Sequence, residues 1–242
     1  MSFLLSITPS LAKTKNTQIE SAQITPPAIV IPAYKATYSL LRKSEPVGTA
    51  IRELSYIDNN KVRYHYETDI NWLIFSDKRK ETAIVSIDNN KVTPLHYNYS
   101  REGTGRDKSY QWQYNLTEKT ATNLKKEQTI SLDFTEGLLD KLSYHLQNRL
   151  DLITNPEQKR FIYPVISTRG SIKNYEYKYD GKEELILPFG LVKAIRLKRE
   201  IIEKKRITYA WFAPELNYLL VKLYQVKAGS EQFEAQLTEL KQ

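Results

Sequence analysis

The sequence predicts a mainly β protein: an antiparallel meander of about a dozen strands, curled into a barrel or half-barrel, with one central amphipathic helix. Three observations carry this. First, most of the chain beyond residue 34 alternates with period two. In the segment 62–72, Val62, Tyr64, Tyr66, Thr68, Ile70 and Trp72 share one face, while Arg63, His65, Glu67 and Asp69 share the other. One dry face and one wet face mark an antiparallel strand. Second, turn residues recur at short intervals, as hairpins require. Third, one long segment, 135–153, follows a 3.6-residue period instead. Its Leu138, Leu139, Leu142, Leu146, Leu150 and Ile153 form an apolar stripe, which a surface helix must bury.

Taken in order, the first strand is 34–40, with Tyr34, Ala36, Tyr38 and Leu40 on one face. Glu45-Pro46-Val47-Gly48 is expected to turn the chain. A second strand runs to about residue 57, and 62–72 is the third. Two six-residue segments nearly repeat: Ile57-Asp58-Asn59-Asn60-Lys61-Val62 and Ile87-Asp88-Asn89-Asn90-Lys91-Val92. Asp and Asn tolerate left-handed backbone, so both read as hairpin turns. Neither is a calcium loop, because Arg63 and Asp69 stand where the glycine and the bidentate Glu belong. Leu95, Tyr97 and Tyr99 then share a face, Gly103-Thr104-Gly105 turns, and Tyr110, Trp112 and Tyr114 line the return strand. One strand is expected over 121–132.

Thr135 is the expected N-cap of the helix, and Asn155-Pro156 ends it. Leu138, Leu142 and Leu146 should close the concave side of the sheet, with Lys141, Gln147 and Asn148 toward water. Strands over 160–168 and 172–179 follow, and Asp180-Gly181 reads as a hairpin turn. Further strands are expected over 184–187, 191–199 and 207–212. The stretch 218–226 is apolar on both faces and reads as central, and Phe233, Ala235 and Leu237 mark the last strand.

Three domain segments follow. Phe3, Leu4, Leu5 and Ile7 precede Ser10-Leu11-Ala12, with small residues where a signal peptidase cuts. Residues 1–12 therefore read as the end of a signal peptide that starts upstream of Met1. Residues 13–33 read as a flexible leader, and 34–242 as a single β-barrel-like domain. The chain has no cysteine and a formal charge of +8. The first excludes disulfides, thiolate metal sites and a Cys nucleophile. The second favours anionic partners, although both signs are interspersed along the chain.

Catalytic and metal motifs are missing: there is no HExxH, GxSxG or phosphate loop. His65 and His96 fall on the polar phase of their strands and His145 on the helix. All three are expected at the surface, so no metal site and no cofactor is predicted. The excess is aromatic, with 17 Tyr and 3 Trp. In a curled sheet the stripes would line the interior and form an amphipathic cavity. The expected ligand-binding residues are Tyr64, Tyr66, Trp72, Tyr97, Tyr99, Trp112, Tyr114 and Leu142. A second candidate surface, for anions, is the basic hairpin with Lys193, Arg196, Lys198 and Arg199.

Short motifs spread over 34–240 resemble the bacterial domain of unknown function 3108 family. They are Tyr34-Lys35-Ala36-Thr37-Tyr38-Ser39-Leu40 followed by Gly48, Val92-Thr93-Pro94-Leu95-His96-Tyr97, and Trp211-Phe212-Ala213-Pro214 ahead of Tyr218-Leu219-Leu220-Val221. The last departs from the family pattern by lacking its usual Pro. The resemblance implies an exported, periplasmic, β-rich envelope protein and no catalytic residues. The reading that follows is a non-enzymatic periplasmic protein binding a lipid or acyl chain in an aromatic-lined cavity. The alternatives are an envelope module that docks a protein partner through its basic face, and a carbohydrate-active hydrolase. No nucleic-acid partner and no transmembrane segment are expected.

Overall fold

The computed structural model describes residues 29–133 and 135–242. The expected signal peptide over 1–12, and the leader as far as residue 28, lie outside the described residues. Residues 29–33 lie against the barrel: Ile31 is buried, the Tyr56 hydroxyl donates to its carbonyl, and the Ile29 N–H donates to Asn90 Oδ1.

The strands are β1 (Tyr34–Arg42), β2 (Glu45–Tyr56), β3 (Lys61–Trp72), β4 (Phe75–Asp88), β5 (Lys91–Gly103), β6 (Lys108–Asn115), β7 (Thr120–Asn123) and β8 (Gln128–Ser131). Helix α1 (Ser143–Thr154) follows. Then come β9 (Arg160–Ile166), β10 (Ile172–Leu187), β11 (Gly190–Ile201), β12 (Arg206–Ala213), β13 (Leu219–Lys227) and β14 (Ser230–Lys241). All fourteen form one antiparallel sheet in the order β8-β7-β6-β5-β4-β3-β2-β1-β14-β13-β12-β11-β10-β9. Pairing of β1 with β14 joins the strands before the helix to those after it in one continuous sheet.

The sheet curls until its edges, β8 and β9, approach without pairing. Contacts from the β9–β10 turn bridge this seam. Trp112 Nε1 donates to the Thr168 carbonyl at 3.2 Å. Gly170 lies so close that a Cβ there would stand 2.7 Å from Ile130 Cδ1. The result is a half-closed barrel with two unlike ends. At one end lie the turns that follow odd-numbered strands, and at the other the turns that follow even-numbered strands, together with α1.

Several local expectations are corrected. Glu45 to Gly48 already belong to β2. The turn is Lys43-Ser44, both at positive φ, +51° and +66°, as a tight two-residue hairpin needs. Gly48 answers a different demand: a Cβ there would fall 2.0 Å from the Asp69 carbonyl oxygen. The expected strand over 121–132 is two short strands, β7 and β8. Asp180-Gly181 is not a hairpin but a bulge inside the sixteen-residue β10, where the register with β11 shifts and Gly181 takes φ +126°.

The helix begins eight residues later than its apolar stripe suggested, because the edge of β9 captures residues ahead of it. Gly137 takes φ +61°, and Leu139 then pairs with the edge. Its N–H donates to the Pro164 carbonyl and its carbonyl accepts from Ile166 N–H, both at 2.9 Å. An unpaired strand edge offers hydrogen bonds that a helix start leaves unmade. Leu138 and Leu139 are buried by this pairing rather than by helical phase. The N-cap is Leu142, not Thr135, and it has no side-chain cap of its own; two residues ahead, Asp140 Oδ1 accepts from the N–H of Leu142 and of Ser143, both at 2.7 Å. The Asp140 N–H in turn donates to Ser143 Oγ at 2.8 Å, a reciprocal exchange of the capping-box kind.

Helix α1 fills the lower lumen as a fixed plug. Gln147 Nε2 donates to the Asn90 carbonyl, while its Oε1 accepts from Val92 N–H. Asn148, expected in water, is buried and donates to the Tyr163 hydroxyl at 3.0 Å. Arg149 donates to the carbonyls of Leu216 and Asn217. Leu142, Leu146 and Leu150 pack into the core.

Candidate functional site

The other half of the lumen is hollow. Inward-facing alternation on β1, β2, β3, β4, β12, β13 and β14 builds its walls, and the start of α1 forms its floor. An inner chamber of about 280 Å³ is lined by Tyr38, Arg52, Tyr66, Lys141, Leu142, Tyr144, His145, Tyr177 and Arg199 among others. An outer chamber of about 720 Å³ is lined by Leu40, Arg42, Val47, Thr68, Ile70, Trp72 and Phe75. The two share Tyr66, Arg79, Glu81, Arg206, Gln225 and Phe233 and therefore adjoin. Cavities of a few hundred Å3 with a mostly apolar wall and a few convergent polar groups are the usual form of small-molecule sites.

The floor is cationic. Arg52 is only 6% exposed, and its guanidinium lies over the rings of Tyr64 at 5.8 Å and Tyr66 at 5.2 Å. Its Nε has no hydrogen-bond partner, nor has the Nε of Arg206. Arg199 stacks on Tyr175 at 3.5 Å. Arg79 is neutralised by Asp77, Nε to Oδ1 at 2.6 Å. Glu81 is the one carboxylate among the residues lining either chamber, and it accepts from the Tyr97 hydroxyl at 2.6 Å. His145, expected at the surface, stands in this chamber. Its pKa is driven well below the ordinary 6.5, by burial first and then by repulsion from Arg52, Arg199 and Lys141. Burial likewise raises Tyr38 and Tyr66, so both stay protonated, and the Tyr38 hydroxyl donates to the Leu220 carbonyl at 2.8 Å.

The mouth is apolar. Trp72 and Phe75 stack with centroids 6.3 Å apart, and Arg42 lies over Trp72 at 4.4 Å. Between them Leu73 and Ile74 form the hairpin tip, 84% and 85% exposed.

The residues expected to bind ligand divide into two groups. Tyr66 and Leu142 line the inner chamber and Trp72 the outer one. Tyr64, Tyr97, Trp112 and Tyr114 are buried in the packed wall, and Tyr99 is half-buried against Tyr110. Of the basic hairpin, Arg199 turns inward while Arg196 and Lys198 turn outward. Arg196 is engaged by Asp180 and Glu183, Lys198 by Glu200 at 3.2 Å, and Lys193 lines a shallow groove beside Glu183 and Glu184. The four do not form one surface. His65 keeps to the outer face, bonded to Thr82 Oγ1 at 2.9 Å.

Sequence reasoning missed Arg52, Glu81 and Tyr38 as residues of the site. A signal for Arg52 was present: it falls in phase with Ala50 and Leu54, on the dry face of β2.

These features define a class: a half-closed antiparallel β-barrel, plugged at one end by a helix and hollow at the other. The chain belongs to the family described as Protein of unknown function (DUF3108), whose model matches residues 33–238. No curated protein matches it in sequence. Among solved structures it is similar to a β-barrel-like protein of domain of unknown function DUF1849 from Brucella abortus. The TM-score is 0.58 at 10% identity, covering 88% of this chain and 99% of that one. A Bacteroides fragilis protein with a YmcC-like fold matches at TM-score 0.33 and 9% identity, covering 86% and 95%.

Proposed function

We propose that this protein is a non-enzymatic binding protein of the cell envelope that holds an amphiphile, a lipid or acyl chain, in the hollow half of its barrel. One observation carries the reading: the lumen is not packed throughout, but opens from a polar floor at Arg52 and His145 to an apolar mouth at Trp72 and Phe75. A ligand with one polar end and one apolar end fits that gradient. The plug at α1 is tied to three strands and turns, so entry is from the mouth. The exposed Leu73-Ile74 tip there offers apolar surface along the way in. Placement in the periplasm is supported by the apolar patch near the N-terminus and by the family resemblance. Among the described residues, no helix is long and apolar enough to cross a membrane.

The test is direct. Purified protein should carry or take up a long-chain amphiphile, seen as a discrete mass increment by native mass spectrometry and as a lipid-dependent rise in melting temperature. Absence of both refutes the reading.

A further inference from the structure

We propose that the ligand is an acid: an amphiphile whose anionic head group, carboxylate or phosphate, sits on Arg52 in the inner chamber, with its tail directed to the mouth. This rests on the amphiphile reading and adds the charge and orientation of the ligand.

Five cations face the chambers without a carboxylate of their own: Arg52, Lys141, Arg199 and Arg206 around the inner one and Arg42 at the mouth. All ion pairs among the described residues are made by other cations. Arg52 is the extreme case, 6% exposed and with an orphaned Nε. A guanidinium withdrawn from water without a partner is strongly unfavourable, and buried charges are normally paired. Stacking on Tyr64 and Tyr66 offsets part of that cost but leaves the planar donor edge free, and that edge matches carboxylate and phosphate oxygens. Glu81 does not fill the role, because no ion pair among the described residues joins it to Arg52; its Oε2 accepts from the Tyr97 hydroxyl instead. His145, whose pKa is lowered first by burial and then by Arg52, Arg199 and Lys141, adds no anion to this chamber. Further out, Leu40, Val47, Ile70 and Phe233 give an apolar path for a chain leading to Trp72.

The experiment compares palmitate, hexadecyl phosphate and uncharged hexadecanol by displacement of a fluorescent fatty-chain probe from the full chain. Wild type should bind at least one anion tenfold or more tightly than the alcohol, and whichever anion is tighter identifies the head group. Arg52→Met should abolish that preference, so that the anions bind no more tightly than hexadecanol. Equal binding of acid and alcohol by wild type overturns the head-group assignment and leaves the amphiphile reading standing. Binding of none of the three overturns both. Should Arg52→Met not fold, the wild-type comparison decides by itself, and Arg199→Met should show a partial loss of preference.

Discussion

Replacing Asp140 with Asn removes a fully buried charge while keeping an oxygen that can start the helix. Asp140 is 0% exposed. Its carboxyl is lifted from the usual 3.8 to about 6, chiefly by burial, against the lowering effect of hydrogen bonds from Ser143 and Leu142 and with an added push from Glu81. The folded pKa lies above the unfolded one. Its contribution is therefore fully present below the unfolded pKa and is lost as pH rises through about 6. A gap of about 2 pK units corresponds to about 3 kcal/mol. Asp140→Asn escapes that loss. Its amide nitrogen replaces Oδ2, which has no partner, at a cost of roughly 1 kcal/mol that does not vary with pH. His145 titrates in both proteins and cancels in the difference. Urea unfolding followed by circular dichroism between about pH 4 and about pH 7.5 should show the stability of the variant, relative to wild type, rising by about 2.5 kcal/mol. A difference that stays flat within about 0.5 kcal/mol would show that Asp140 is not the desolvated carboxylate its surroundings imply.

Two further outcomes test the architecture. Leu150 is 0% exposed on the core face of α1. Leu150→Asp should cost more than about 4 kcal/mol by burying an unpaired carboxylate and abolish the cooperative melt, whereas a detachable lid would leave the barrel melting at its wild-type temperature. Leu73 holds φ +55° at the tip of the β3–β4 hairpin with its side chain in solvent. Leu73→Asn should relieve about 1 kcal/mol of left-handed strain and raise the melting temperature by about 2–4 °C; an unchanged or lower value means that Leu73 packs against something.

The two Asp-Asn-Asn turns show where local sequence stops. Asp88-Asn89-Asn90-Lys91 is a two-residue hairpin with Asn89 and Asn90 at φ +48° and +62°. Asp58-Asn59-Asn60-Lys61 is a wider loop, in which Asp58 Oδ1 accepts from the N–H groups of Asn60 and Lys61. Nearly identical residues take different partners: Asn90 Oδ1 accepts from Ile29 N–H and its carbonyl from Gln147, whereas the Asn60 carbonyl accepts from Ile87 N–H. The site divides in the same way. Alternation placed Tyr66 and Trp72 on an inner face, but could not say that Tyr97 and Trp112 would be walled in while Tyr66 would stand at a void.

The helix makes the same point in larger form. Its leucine stripe was legible, because a 3.6-residue period needs only the chain itself, and so was the antiparallel strand character of most of the chain. Where the helix starts was not legible. Leu139 gains two hydrogen bonds by joining β9, a strand distant enough that no local pattern announces it. Sequence by itself determined the strand or helix character of most segments, the phase of the strands and the absence of thiol chemistry, since each depends on neighbours along the chain. Only the tertiary structure decided which part of the lumen α1 fills and which stays hollow. Only it turned Arg199 inward, away from Arg196 and Lys198, and left Arg52 buried without a partner. Those outcomes depend on how far the sheet curls and on what crosses its interior, and no period in the chain encodes either.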